Sequence, residues 1–177
     1  VARAGYTTTF AGPATLAPEL REQVLALMPE SRRGEAERGF SMTLSRMFDP
    51  DDADLVLALT TRADGRLDGF VQWAPADAVR GWSLDVMRRR TDADDVPNGV
   101  LDACIVASIE EVARRGGGGL GLNFAVGRQV LGSPESGARA AVTRPLLQQM
   151  SERTQMTSLS RFNDKVGPAW VPRYVVL

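Results

Sequence analysis

Apolar positions along the chain follow two periods. Leu20, Val24, Leu27 and Met28 recur at helical spacing between Pro18 and Pro29, which predicts an amphipathic helix. Tyr6 to Phe10 is a short β-rich run, and Phe40-Ser-Met-Thr-Leu44 alternates as a half-buried strand does before Asp49-Pro-Asp-Asp52 halts regular structure. Leu55 to Thr61 and Leu67 to Trp73 flank Asp64-Gly65, the dipeptide of a tight hairpin. Gly81 to Met87 predicts the next strand. After the breaker Val96-Pro-Asn-Gly99 comes a second helix with the apolar stripe Val100, Leu101, Cys104, Ile105, Ser108, Ile109 and Val112. Asn98 is placed to cap its start, and Arg114, Arg115 and Gly116 suit its end. Leu120, Leu122, Phe124 and Val126 share one face of a further strand, with Asn123 on the other. Gly127 to Gly137 reads as a loop, Arg139 to Met150 as a helix with Pro145 at a start or kink, Ser158 to Asp164 as a short helix and Tyr174 to Leu177 as a closing strand.

This order of elements predicts an α/β fold, a mixed and largely antiparallel twisted sheet flanked by helices, of the N-acyltransferase type. With 177 residues, 44% of them hydrophobic, the chain reads as one domain (1–177) large enough to bury a layered core. Val1 to Gly5 reads as the end of a helix, so further sequence is expected upstream. No apolar run approaches ~20 residues and no signal peptide pattern opens the chain, which reads as a soluble, cytosolic fragment.

Composition narrows the chemistry. There is no His and one Cys, which removes histidine-dependent nucleophilic catalysis, disulfides and the usual metal ligand sets from this chain. Cys104 lies on the apolar side of its helix and reads as a small hydrophobe. A net charge of -1 argues against a field that attracts polyanions over the whole surface. All but one of the 21 basic residues are Arg, suited to local, planar phosphate contacts; the single Lys is Lys165.

The stretch Gly81 to Arg90 is an apolar strand that runs into three guanidinium groups, with Asp85 just before them. In open α/β sheets, ligands collect beyond the carboxyl ends of strands, where a following helix offers N–H groups to an anion. Asp85, Arg88 and Arg89 stand at such an end, with Asn98 before the helix. The alternatives are a solvated strand end or a simple Asp85–Arg88 pair. The junction Arg88 to Gly99 has one Gly and several acids, a poor cradle for the diphosphate of coenzyme A. Gly116 to Gly119 follows a helix and reads as a flexible connector.

Glu37-Arg-Gly-Phe-Ser-Met42, Asp64-Gly-Arg66, Gly69-Phe70, Trp82-Ser-Leu-Asp-Val-Met-Arg-Arg89, Pro97-Asn-Gly99, Leu122-Asn-Phe-Ala125 and Arg161-Phe-Asn-Asp-Lys165, with Pro168, Trp170, Pro172, Arg173 and Tyr174, form an ordered series. The series resembles the lysyl-phosphatidylglycerol synthetase family, also called the multiple peptide resistance factor family. The resemblance implies transfer of an aminoacyl group, lysyl above all, from aminoacyl-tRNA to phosphatidylglycerol at the cytoplasmic face of the membrane. It implies the second of two tandem N-acyltransferase-like folds, with the first fold and a membrane part elsewhere in the protein, and no cofactor or metal. It assigns Asp85, Arg88 and Lys165 to catalysis, with Arg89, Asn98, Asn123, Arg161 and Arg173 as substrate-binding candidates. Two other readings stand beside it. One is an acetyl-CoA-dependent N-acetyltransferase. The other is a non-catalytic tRNA-docking half built on Arg153, Arg161, Lys165 and Arg173 with Phe162, Trp170 and Tyr174, although Trp170 between two prolines reads first as a core anchor.

Overall fold

The structure is a computed structural model that describes residues 4–30, 48, 52–122 and 164–171. At the predicted hairpin, β2 (Val56–Thr61) and β3 (Leu67–Ala76) pair antiparallel. Gly65 closes the turn at φ +86°, a conformation that costs a glycine little. β1 (Thr7–Ala11) adds outside β2, and β4 (Gly81–Arg89) adds antiparallel to β3. The chain then crosses over through α2 (Val100–Arg114) to β5 (Leu120–Gly121), which runs parallel to β4 at Trp82 and Ser83. The sheet order is therefore β1-β2-β3-β4-β5. Phe10 of β1 and Trp82 of β4 have ring centroids 6.4 Å apart although two strands lie between them. A flat sheet separates such strands by roughly 14 Å, so this one curls.

Alternation along β2 distributes the core between the two faces. Leu57 and Leu59 join Leu67, Phe70 and Val86 beneath α1 (Pro18–Glu30), where Leu16, Val24 and Leu27 are also buried. The intervening Ala58 and Thr60 look the other way, toward α2, and Thr60 Oγ1 lies 2.9 Å from Cys104 Sγ. The fully buried Trp73 donates its indole N–H to Ser108 Oγ at 2.9 Å, and Ser108 donates to the Cys104 carbonyl at 2.7 Å. Each large side chain buried here contributes on the order of 1.5–3 kcal/mol. Burial pushes the Cys104 thiol up to about 12, consistent with the small-hydrophobe reading.

Three expectations are corrected within this unit. Ile109 is 47% exposed and does not join the α2 core, which consists of Val100, Cys104, Ile105, Ser108 and Val112. Ile109 lies about 40° further round the helix than Ile105, past the edge that meets the sheet. Asn98 makes no capping bond; the cap position is Gly99, and Asn98 instead accepts from Arg89. The tetraglycine is a packed joint. Gly116 (φ +79°) and Gly117 donate to the Ala113 and Val112 carbonyls, at 3.0 and 2.8 Å, in the 5→2 and 6→1 pattern of a Schellman end. A Cβ on Gly81 would stand 2.1 Å from the Gly119 carbonyl oxygen, so these backbones touch.

The chain divides into two units, residues 1–123 and 124–177. Of the second, the described stretch turns at Gly167, whose N–H donates to the Asp164 carbonyl at 3.2 Å. Trp170 there is 40% exposed, which corrects its reading as a core anchor. The elements predicted at Phe40 to Leu44, Arg139 to Met150 and Tyr174 to Leu177, the loop at Gly127 to Gly137, and all but the last residue of the helix at Ser158 to Asp164 lie outside the described residues. Among the described residues no helix is long and apolar enough to cross a membrane.

Candidate active site

Two aspartates sit at two β-bulges, Asp68 at the hairpin end of β3 and Asp85 at the middle of β4, which corrects the expectation that Asp85 lies at the strand end. Gln72 is opposite Val86 and Trp73 opposite Leu84, so β4 carries one extra residue, Asp85. Thr60 is opposite Gly69 and Thr61 opposite Leu67, so the extra residue of β3 is Asp68. A bulge bends the strand and re-aims a side chain that strict alternation would place elsewhere. Asp85 is 8% exposed and accepts from Gln72 Nε2 at 2.8 Å.

Asp68 is fully buried and ties three elements together. It accepts from the Tyr6 hydroxyl at 2.5 Å and from Arg66 through Nε (2.7 Å) and Nη2 (2.9 Å), and Arg90 Nε lies 3.3 Å away. Arg90 also meets Asp92 at 3.2 Å, and its backbone N–H donates to the Asp68 carbonyl at 2.9 Å. Asp95, in the loop before α2, takes Arg66 at 2.8 Å and also bonds Arg62, pinning that loop to the hairpin. These bonds hold the Asp95 carboxyl below its usual range, Arg66 first and Arg62 second. Burial, then the bond to Asp68, raises the Tyr6 phenol. The bond to Asp68, then that to Asp95, raises the Arg66 guanidinium. Gly69 lets the start of α2 descend on β3, since a Cβ there would stand 2.4 Å from Val100 Cγ1.

Of the predicted site residues, Asp85, Arg88, Arg89 and Asn98 belong to the first unit, and the bond between Arg89 and Asn98 joins two of them. Arg88, paired opposite Phe70, donates Nη1 to the Met87 carbonyl at 2.8 Å. Arg89 donates Nη1 to Asn98 Oδ1 at 2.9 Å. Lys165 belongs to the second unit, in the turn before Gly167. Asn123, Arg161 and Arg173 lie outside the described residues. Sequence reasoning missed Tyr6, Asp68, Gln72 and Asp95. A signal existed for two of them, because Asp68 and Gln72 are polar residues inside an otherwise apolar strand, Leu67 to Trp73.

A curled, mostly antiparallel sheet with helices on both faces and a parallel crossover at its last strand places the chain among N-acyltransferase-type α/β folds. The chain belongs to the family described as phosphatidylglycerol lysyltransferase, C-terminal, whose profile matches residues 1–177. It is 34% identical over 184 residues to the lysylphosphatidylglycerol biosynthesis bifunctional protein LysX of Rhodococcus opacus, covering 99% of this chain and 16% of that protein. Against the protein of the same description from Nocardia farcinica, identity is 37% over 156 residues, covering 86% of this chain and 14% of the relative. The chain thus spans only about a sixth of the length of these relatives. Among solved structures, it superposes on L-PGS from Bacillus licheniformis with a TM-score of 0.58 at 21% identity, over 79% of this chain and 46% of that one. It superposes on the C-terminal domain of a putative lysylphosphatidylglycerol synthetase from Agrobacterium fabrum with a TM-score of 0.55 at 21% identity, over 70% and 37%.

Proposed function

We propose that the protein carrying this chain transfers a lysyl group from aminoacyl-tRNA to a headgroup hydroxyl of phosphatidylglycerol, at the cytoplasmic face of the membrane. The observation that carries the reading is the bulge of β4, which holds a nearly buried acid, Asp85, three residues from Arg88, in a chain that matches the family along its whole length. The names of the relatives support the lysylated lipid as product. The tRNA donor and the membrane face rest on the resemblance.

An aminoacyl ester is already activated. The headgroup oxygen attacks the ester carbonyl carbon, the bond to the ribose oxygen breaks, and the hydroxyl proton ends on that ribose oxygen. The enzyme must align the two groups, stabilise the developing oxyanion and assist one proton transfer. Asp85 holds the α-ammonium of the aminoacyl group or takes the hydroxyl proton, and Gln72 fixes its carboxylate. Arg88 holds phosphate or the terminal ribose, and the resemblance gives Lys165 of the second unit a role of the same kind. No covalent enzyme intermediate is needed. The loop from Arg90 to Gly99 also suits coenzyme A poorly, because it carries the carboxylates of Asp92, Asp94 and Asp95 where a diphosphate cradle would present glycine N–H groups.

The test is an assay of the full-length protein with charged tRNA and anionic vesicles, run beside acetyl-CoA with small amines. Asp85→Ala and Arg88→Ala are each expected to slow lipid lysylation on the order of 100-fold or more while leaving the unfolding temperature near that of the parent. Acetyl transfer, or parental rates in both variants, would defeat the reading.

A further inference from the structure

The arginines at this end of the sheet are not equivalent. Arg62 and Arg66 share Asp95, Arg66 and Arg90 share Asp68, and Arg90 also meets Asp92. Arg89 differs. Its Nη1 donates to Asn98 Oδ1 at 2.9 Å and its Nε to the Arg90 carbonyl at 3.4 Å, both neutral acceptors. Among the described residues no carboxylate bonds it. Its position sharpens the contrast, since Arg89 pairs with Gly69, the residue on which the first turn of α2 rests. The N-terminal peptide groups of that 15-residue helix carry partial positive charge. A guanidinium tied to residue 98 therefore meets a field of the wrong sign. Asp102, in the first turn, offsets part of that field from within the helix. An anion between Arg89 and the helix start satisfies both.

The geometry points to the Arg89–Asn98 pair as the contact for the phosphodiester of the lipid headgroup, an assignment that rests on phosphatidylglycerol being the acceptor. Asn98 Oδ1 sets the plane of the guanidinium and leaves Nη2 and the second Nη1 hydrogen for two phosphate oxygens. A single phosphodiester fits better than tRNA. Asp64, Asp92, Asp94 and Asp95 belong to the hairpin and loop at the same end, where a polyanion would meet them, and the chain has a net charge of -1.

The experiment measures equilibrium binding of radiolabelled phosphatidylglycerol to the full-length protein in nonionic detergent, and the KM for that lipid as a mole fraction in mixed micelles. Asn98→Asp places a carboxylate on Arg89 and is expected to weaken lipid binding and raise the lipid KM about tenfold, with kcat and the KM for charged tRNA unchanged. Asp94→Asn shifts the charge of the same loop by one unit elsewhere, and should change lipid binding by less than about twofold. Glycerophosphoglycerol should compete, whereas inorganic phosphate at equal concentration should not. Parental lipid binding in Asn98→Asp, equal and opposite shifts in the two variants, competition by phosphate alone, or loss of tRNA affinity with lipid binding intact would each overturn the assignment. The binding measurement needs no turnover. A parent protein that lysylates nothing defeats the proposed function, yet selective loss of lipid binding in Asn98→Asp would still sustain the contact.

Discussion

Asp68 offers the sharpest test of what holds this end of the sheet. Replacing it by Ala removes an acceptor that serves Tyr6 and Arg66 and lies within ion-pair distance of Arg90. The two guanidinium groups are not left alone, because Arg66 keeps Asp95 and Arg90 keeps Asp92. The loss should therefore fall below the ~3–5 kcal/mol expected when a buried charge is fully orphaned. Arg66 is 29% exposed and Arg90 13%, so water recovers part of their share. The Tyr6 hydroxyl loses its acceptor at a buried position, at about 1–3 kcal/mol. A total of about 2–4 kcal/mol follows, or a fall in Tm of roughly 5–15 °C for a chain of this size.

Thermal and urea unfolding of the parent, Asp68→Ala, Tyr6→Phe and the double variant give the assay. Because Tyr6 and Asp68 share one bond, the two losses should fail to add by about 1 kcal/mol or more. The raised Tyr6 phenol provides an independent check with a definite sign. Its contribution is fully present below the ordinary value of 10.0 and is lost as pH rises beyond it, since the unfolded phenol ionises first. Tyr6→Phe should remove that alkaline loss. An Asp68→Ala protein within about 1 kcal/mol of the parent, with additive losses, would show that these short contacts add little beyond what solvent supplies.

Two further outcomes are expected. Gly69→Ala should destabilise by about 1–3 kcal/mol, because its Cβ meets the stiff Val100 side chain, and Val100→Ala on the same protein should recover part of the loss in a double-mutant cycle of urea unfolding. Glu111, held down at about 2 by Arg114 first and Arg115 second, contributes stability that is fully present above its ordinary value of 4.5 and is lost as pH falls toward about 2. Both partners are well exposed, so Glu111→Gln should flatten the acid limb by no more than about 1 kcal/mol in pH-dependent thermal melts.

The hairpin, β4 and both helices of the first unit were legible because each depends on local information: a turn dipeptide, a period, a terminal glycine. Asp64-Gly65 and the Val100 to Val112 stripe required nothing distant. Sequence could place Arg88, Arg89 and Asn98 at one strand end and the start of its following helix, but not identify their bonds, and it set Asp85 near that end although Asp85 is the middle residue of β4. Asn98 was read as a cap because residue type favours caps, yet a guanidinium nine positions away competes for the same oxygen and wins. Tyr6 and Asp68 are 62 residues apart and meet only through the pairing of β1, β2 and β3. No periodicity encodes that meeting.

Strict alternation would also have misassigned both acids. Along Leu67 to Phe70 and Leu84 to Val86, a residue between two inward apolar neighbours should face outward, and an acid there looks solvated. One inserted residue in each strand cancels that inference and turns Asp68 and Asp85 inward. Asp85 accepts from the amide of Gln72 on the neighbouring strand, which orients its carboxylate. Asp68 finds two arginines and a phenol, partners that bind an anion firmly and fix it in place. Asp68 thereby holds the strand ends around it, one carboxylate serving the residue before β1, the hairpin and the end of β4.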